Sequence, residues 1–178
     1  MWYHSATPTA EVKITNTSAD KFKVELTSIG RVRSSTTRPA DLHTACQQGL
    51  TFSGRATIVL KAGLAGGLKG LEDFSHIWVI YSLHRADRTE LVTHPGPASI
   101  RNLPQVGVFA SRSQYRPSHL ALRLCQLEKV ETNKIYVSGL DAIDGTPVLD
   151  IKPYVSGFDR PKQFRTAPWY EWLPQDKS

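Results

Sequence analysis

Short runs in which every second residue is apolar recur along this chain, and turn-forming residues separate them. Phe22, Val24 and Leu26 alternate with Lys21, Lys23 and Glu25; Ala56, Ile58 and Leu60 mark a second run, Leu120, Leu122 and Leu124 a third, and Ile135 and Val137 a fourth. Successive side chains of an extended chain face opposite sides, so a period of two buries one face and wets the other. Thr132-Asn133-Lys134 separates the last two runs and predicts a hairpin. Phe74 to Leu83 is denser, apolar and rich in β-branched and aromatic residues, which predicts a central strand buried on both faces. Helical patterns do not alternate with these runs. About seven short strands, hairpin turns and one short helix therefore predict an all-β fold, barrel or sandwich.

A chain of 178 residues, 40% apolar and 21% charged, has the size and composition of one globular domain with its own core. Three parts are expected: a loose polar arm over 1–20, a β domain over 21–155 and an irregular tail over 156–178. Trp169, Tyr170 and Trp172 would clip that tail to the domain or to a second subunit. The formal charge of +6 and pI of 9.4 suit a polyanionic partner, RNA first among them, although proteins without such a partner reach the same balance. Cys46 and Cys125 form neither a CxxC nor a metal-ligand spacing, which fits a reduced, cytoplasmic chain without a metal. Residues 1–10 lack the apolar core and basic lead of a signal peptide, and no apolar run approaches the ~20 residues that span a bilayer. No membrane association is expected.

The densest chemistry lies in Asp144-Gly-Thr-Pro-Val-Leu-Asp-Ile-Lys-Pro-Tyr-Val155. Asp144-Gly145 is a strong turn pair, and Pro147 stiffens the exit into a short strand. Asp144, Asp150 and Lys152 thus hang on a rigid unit, either a salt-bridged hairpin or part of a ligand site. Other segments offer polar groups at element ends. Gln47 and Gln48 could read a small polar ligand or simply face water. His84-Arg85 ends the most apolar strand, where sites tend to be built. Residues 86–105, with three prolines, read as a long excursion, followed by a short strand over 106–110. Arg112, Tyr115 and Arg116 then combine anion-gripping guanidinium groups with a ring able to stack on a base. Arg31, Arg33 and Arg38 either dock phosphates or form a solvated face. The glycine-rich segment 63–72 is neither GxGxxG nor GxxxxGK and predicts a short helix or turn beneath the sheet.

Four segments resemble the TrmO/TsaA-like family of tRNA methyltransferases: Ser28-Ile-Gly-Arg-Val-Arg-Ser34, Gly70-Leu-Glu-Asp-Phe-Ser-His-Ile-Trp-Val79, Gly107-Val-Phe-Ala-Ser-Arg-Ser-Gln-Tyr-Arg-Pro117 and the long Gly139–Tyr154 stretch. The resemblance covers about residues 26–155. It implies a single-sheeted antiparallel β-barrel with a short helix, active as a homodimer. The implied reaction is methylation by S-adenosylmethionine of N6 of N6-threonylcarbamoyladenosine, next to the tRNA anticodon. The cofactor would touch Gln47, Gln48 and Gly49, then His84 and Arg85, then Arg112 and Leu122, and finally Leu140, Asp141, Asp144, Gly145 and Thr146. Carboxylates such as Asp141 and Asp144 suit ammonium and ribose hydroxyl groups. Asp150, Tyr154 and His119 are the candidates to accept the departing proton, and Arg31, Arg33, Arg38 and Arg116 the candidates to meet tRNA phosphates.

Two departures from the family pattern lie near these positions. Where the family continues Arg-Pro-Asn-Pro-Ile-Gly-Leu, this chain has Arg116-Pro-Ser-His-Leu-Ala-Leu122. Where the family has Pro-Arg-Gln before its Gln–Gly connector, this chain has Ala45-Cys46-Gln47. Losing an asparagine, a proline and a glycine must change the local backbone. Two alternatives follow: a paralogue that binds S-adenosylmethionine and acts on another molecule or only senses it, and an RNA-binding barrel without cofactor.

Overall fold

The computed structural model describes residues 13–16, 22–42, 54–96 and 102–173. Its strands are β1 (Lys13–Asn16), β2 (Phe22–Glu25), β3 (Gly30–Ser34), β4 (Arg55–Leu60), β5 (His76–Ser82), β6 (Val92–Thr93), β7 (Val106–Gly107), β8 (Leu120–Glu131), β9 (Lys134–Ser138) and β10 (Pro147–Pro153). Six of them close one antiparallel barrel in the order β10-β3-β4-β9-β8-β5. Closure leaves the barrel no open edge. The expected all-β, single-sheeted barrel is thus the fold.

Its interior is filled from alternate positions. Val32, Ile58, Ile77, Val79, Ile135, Val137 and Val148 are wholly buried there. Each contributes roughly 1.5–3 kcal/mol through burial, and β-branched residues suit the pleat. Gly30 marks the tightest approach. A methyl group added there would stand 2.5 Å from the Val59 carbonyl oxygen of the neighbouring strand.

Three expectations change. Phe74–Leu83 is a barrel wall, not a strand buried on both faces: Ile77, Val79 and Tyr81 point inward while the alternate residues are half-covered. In β8 the expected leucine face is the outer one. Cys125 pairs with Ile77, Arg123 with Val79 and Ala121 with Tyr81, so these three share the inward side, and Leu122 is 44% exposed. The pairing with β5 sets the register, and in a period-two strand one step inverts every side chain. The Phe22–Leu26 run is not a half-buried barrel strand. β2 pairs with β1 in a separate two-stranded ribbon, and Val24 and Leu26 are exposed. The arm expected over 1–20 lies otherwise outside the described residues.

The glycine-rich segment forms two 3-10 helices, Ala62–Leu68 and Leu71–Asp73, with Leu68 in the core. The excursion over 86–105 carries β6, which pairs with β7, and Val108–Ala110 is a 3-10 turn rather than more strand. In the tail, Leu173 packs beside Gly96, so the tail meets the excursion. No helix among the described residues is long and apolar enough to cross a membrane.

The β8–β9 hairpin turns at Thr132 and Asn133. Asn133 anchors it by donating from its side-chain amide to the Leu60 carbonyl at 2.8 Å. Thr132 holds φ 48, unfavourable for a β-branched residue. Thr132→Gly should therefore stabilise the protein by about 1 kcal/mol in urea unfolding. Gly30→Ala should destabilise it by at least about 2 kcal/mol in the same experiment, since backbone atoms must move.

Candidate functional site

One end of the barrel opens into a cleft. Its walls come from the end of β5 and the following turn (Tyr81 to Ala86), from the β9–β10 connector (Asp141, Ala142, Ile143, Thr146), from Pro39 and Leu42, and from Gln114. Of the residues the resemblance assigned to a cofactor, His84, Arg85, Asp141 and Thr146 line it together. Leu140, Asp144 and Gly145 complete the same connector. Gln47, Gln48 and Gly49 lie outside the described residues.

The connector is fixed by backbone geometry. Gly139 and Gly145 adopt φ 82 and φ 79, a region glycine enters freely. The Gly145 N–H donates to the Val32 carbonyl at 2.9 Å, the Asp144 N–H to Thr36 at 2.7 Å, and the Val32 N–H to Thr146 at 2.9 Å. The Asp144 carboxylate faces β3 rather than the cleft: it accepts the Ser34 N–H at 3.2 Å and lies 3.5 Å from Arg33. Asp141 is the carboxylate at the cleft. Its Oδ1 accepts the Tyr81 hydroxyl at 2.7 Å, and Arg123 stands 3.8 Å from Oδ2.

A second loop packs against this end. The Leu83 N–H donates to the His119 carbonyl at 2.8 Å, and the Glu90 N–H to that of Tyr115. Arg88 lies over the Tyr115 ring, 3.7 Å from its centre, and also pairs with Glu90 at 2.7 Å. Arg116 donates to the carbonyls of Ser113, Val108 and Ser111, and Arg112 to that of Leu122 at 3.2 Å. Both arginines therefore shape the loop. His119 sits at φ 46 and pairs Nε2 with the Arg88 carbonyl at 3.2 Å. A carbonyl only accepts, so Nε2 carries the proton and neutral His119 keeps Nδ1 as an acceptor.

The three proton-acceptor candidates part company here. His119 is not in the cleft lining but adjoins it, its carbonyl accepting the N–H of the lining residue Leu83. Asp150 pairs with Ile80, next to the cleft-lining Tyr81, but its carboxylate takes the Ile151 N–H and Lys152, the latter at 2.7 Å. Tyr154 follows the far end of β10, eight residues beyond Thr146 and roughly 25 Å along an extended strand. There its ring meets those of His76 and Trp78. Among the cations, Arg38 pairs with Asp41 at 2.8 Å, while Arg31 is exposed at the closure of the barrel, paired across to Pro147. No group of three or more potential metal ligands occurs among the described residues.

Sequence reasoning passed over Tyr81, Arg123 and Gln114. An arginine interrupting an inward series was the available signal for Arg123. The leucine alternation of β8 masks it, because it marks the opposite face as the buried one.

The family model for the tRNA-methyltransferase O N-terminal domain matches residues 34–160, which include every residue lining this cleft. The chain belongs to that family. A tRNA (adenine(37)-N6)-methyltransferase of Mus musculus is 38% identical over 128 residues, 70% of this chain and 30% of that protein. A probable S-adenosyl-L-methionine-binding protein of Pyrococcus abyssi is 34% identical over 143 residues, 80% of this chain and 74% of that one. A crystal structure of TrmO superposes with a TM-score of 0.65 at 32% identity, covering 79% of this chain and 62% of the other. The chain thus spans less than a third of the length of the mouse relative.

Two outcomes follow from the geometry. Asp144→Ala should cost about 1.5 kcal/mol of stability in urea unfolding, the worth of a hydrogen bond to a charged group. Partial desolvation first, and then Arg85 and Arg31, hold His84 below its ordinary value of 6.5, against a hydrogen bond that the ring donates to the Ser82 backbone. An NMR titration should find its midpoint below that value, and Arg85→Gln should move it upward.

Proposed function

We propose that this chain is an S-adenosylmethionine-dependent methyltransferase acting on N6 of the adenosine next to the tRNA anticodon, its acceptor being N6-threonylcarbamoyladenosine. The observation that carries this reading is the convergence of Asp141, Thr146, His84 and Arg85 on one cleft within the family-matched segment. The cleft's donor set fits the cofactor. Pro39, Leu42, Leu83 and Ile143 offer apolar walls to a purine, the Gln114 amide both donates and accepts, and Asp141 accepts from hydroxyl groups. When bound, S-adenosylmethionine supplies an electrophilic methyl group.

The chain's own residues supply binding and alignment. The acceptor nitrogen is conjugated to purine and carbamoyl groups and is a weak nucleophile, so holding it in line accounts for much of the acceleration. Apolar walls exclude water. Of the three proton-acceptor candidates we assign the role to His119, through Nδ1. Arg31, Arg33 and Arg38 meet phosphates around the cleft, while Arg112 and Arg116 hold the loop that frames it. The same reading makes the protein a cytoplasmic homodimer. Exposed Leu91, Phe109 and Trp172, the second of them 77% exposed, supply the apolar surface for a second copy.

One observation favours a second reading. His119 takes φ 46 where the family pattern has a proline, whose ring holds φ near −65°. The loop beside the cleft is therefore rebuilt, and a paralogue that binds the same cofactor and methylates another acceptor is the alternative.

Three measurements test the assignment. Purified protein should transfer a labelled methyl group from S-adenosylmethionine to tRNA carrying the threonylcarbamoyl modification. Transfer to no tRNA, with S-adenosylhomocysteine still bound in calorimetry, selects the second reading. His119→Gln should lower kcat about a hundredfold, as loss of a general base does, with little change in KM. Arg31→Ala should make the salt dependence of tRNA binding shallower by about one unit and weaken all tRNAs alike.

A further inference from the structure

The interior of the barrel is apolar except at the cleft end. There β8 places an arginine, and β5 a tyrosine, on the inward side. Arg123 pairs across with Val79 and Ala121 with Tyr81, so the two polar side chains are diagonal neighbours on one face. Tyr81 is 4% exposed, which leaves its hydroxyl dependent on a protein partner. It donates to Asp141 Oδ1 at 2.7 Å. Arg123 donates from Nε to the Gly139 carbonyl at 2.9 Å and reaches Asp141 Oδ2 at 3.8 Å. Tyrosine and arginine therefore grip the connector on both sides of the wholly buried Leu140. Burial above all, and then the Asp141 charge, push the Tyr81 hydroxyl well above the usual tyrosine range, so it stays a donor at any working pH.

We propose that Tyr81 and Arg123 are positioning residues that aim the Asp141 carboxylate at the cleft, where it accepts the hydroxyl groups of a nucleoside's ribose. This rests on the cofactor reading given above. The choice of a neutral diol over the cofactor's ammonium group follows from the surrounding charge. Arg123 stands against the carboxylate, and Arg85 lines the same cleft. With one cation against the carboxylate and a second in the same cleft, the electrostatic attraction for a further cation is weakened, whereas hydrogen bonding from a hydroxyl is not. Each carboxylate oxygen has more than one lone-pair site, so Asp141 accepts from Tyr81 and still accepts from a ligand.

Tyr81 is part of the cleft wall and Arg123 is not, and both act on the carboxylate that faces the cleft. Their effect runs through Asp141 alone, and this makes the inference separable from a purely structural role. A structural role moves the melting temperature. A positioning role moves affinity, and moves it only while Asp141 is there to be positioned.

The test is calorimetry of the full chain with two probes, S-adenosylhomocysteine and 5′-methylthioadenosine. Both carry the ribose diol, and only the first carries the ammonium group. Tyr81→Phe keeps the ring and the core packing. It should weaken both probes by about tenfold, the loss of one hydrogen bond to a charged group. Arg123→Met should act in the same direction. Asp141→Asn should weaken both probes at least as much, and Tyr81→Phe added to it should change affinity by less than twofold. Independent, multiplying effects in the double variant would overturn the positioning role. So would a Tyr81→Phe protein with a lower melting temperature and wild-type affinity. Weakening confined to S-adenosylhomocysteine would overturn the diol assignment. A wild-type protein that binds neither probe would overturn the cofactor reading itself, and with it this inference.

Discussion

The seam between β10 and β3 is where the barrel closes, and it is held by little regular ladder. Only Pro147↔Arg31 and Val148↔Gly30 are in register there, and a proline has no N–H to give. The connector before β10 completes the closure. Its main chain exchanges hydrogen bonds with Val32 and Thr36, and the Asp144 carboxylate caps the Ser34 N–H. The sheet thus closes through the segment that also forms one wall of the cleft. Loosening that segment opens the barrel, and opening the barrel dissolves the cleft.

That coupling explains a division of labour between two nearby aspartates. Asp144 faces β3 and serves closure, while Asp141 faces the cleft and is free to meet a ligand. A left-handed glycine at 139 and another at 145 set these opposed directions. Side chains without such glycines could not leave the chain at those angles without strain.

The polar groups at the cleft end stand where an apolar core would otherwise continue. A buried hydroxyl and a half-buried guanidinium destabilise a core unless each finds a partner. Here Tyr81, Arg123 and Asp141 satisfy one another and the Gly139 carbonyl. Cys125, one inward position below Arg123, lies in the same surroundings: burial and the Asp141 charge push its thiol up to about 12, so it packs as a small apolar group. The second loop follows the same economy of partners, with Arg116 satisfied by three carbonyls and Arg88 by a ring and two carboxylates.

By itself the sequence determined the fold class and the place of the connector. Period-two alternation around Ile58 and Ile135 calls for extended strands with one face buried, and Asp144-Gly145 has few backbone conformations open to it. The family resemblance as a whole then pointed to His84, Arg85, Asp141 and Thr146, which the fold brings to one cleft. Only the tertiary structure decided which face of β8 is inside, because Leu122 and Cys125 are both apolar and the choice belongs to the pairing with β5. It also kept Asp150 and Tyr154 out of the cleft: the Asp150 carboxylate is taken by the Ile151 N–H and Lys152, and Tyr154 lies at the far end of the wall, neither of which residue type discloses. Likewise it turned Arg116 from a free cation into a loop brace. A guanidinium group has five donors in one sequence letter, and only the folded chain says which carbonyls lie within their reach.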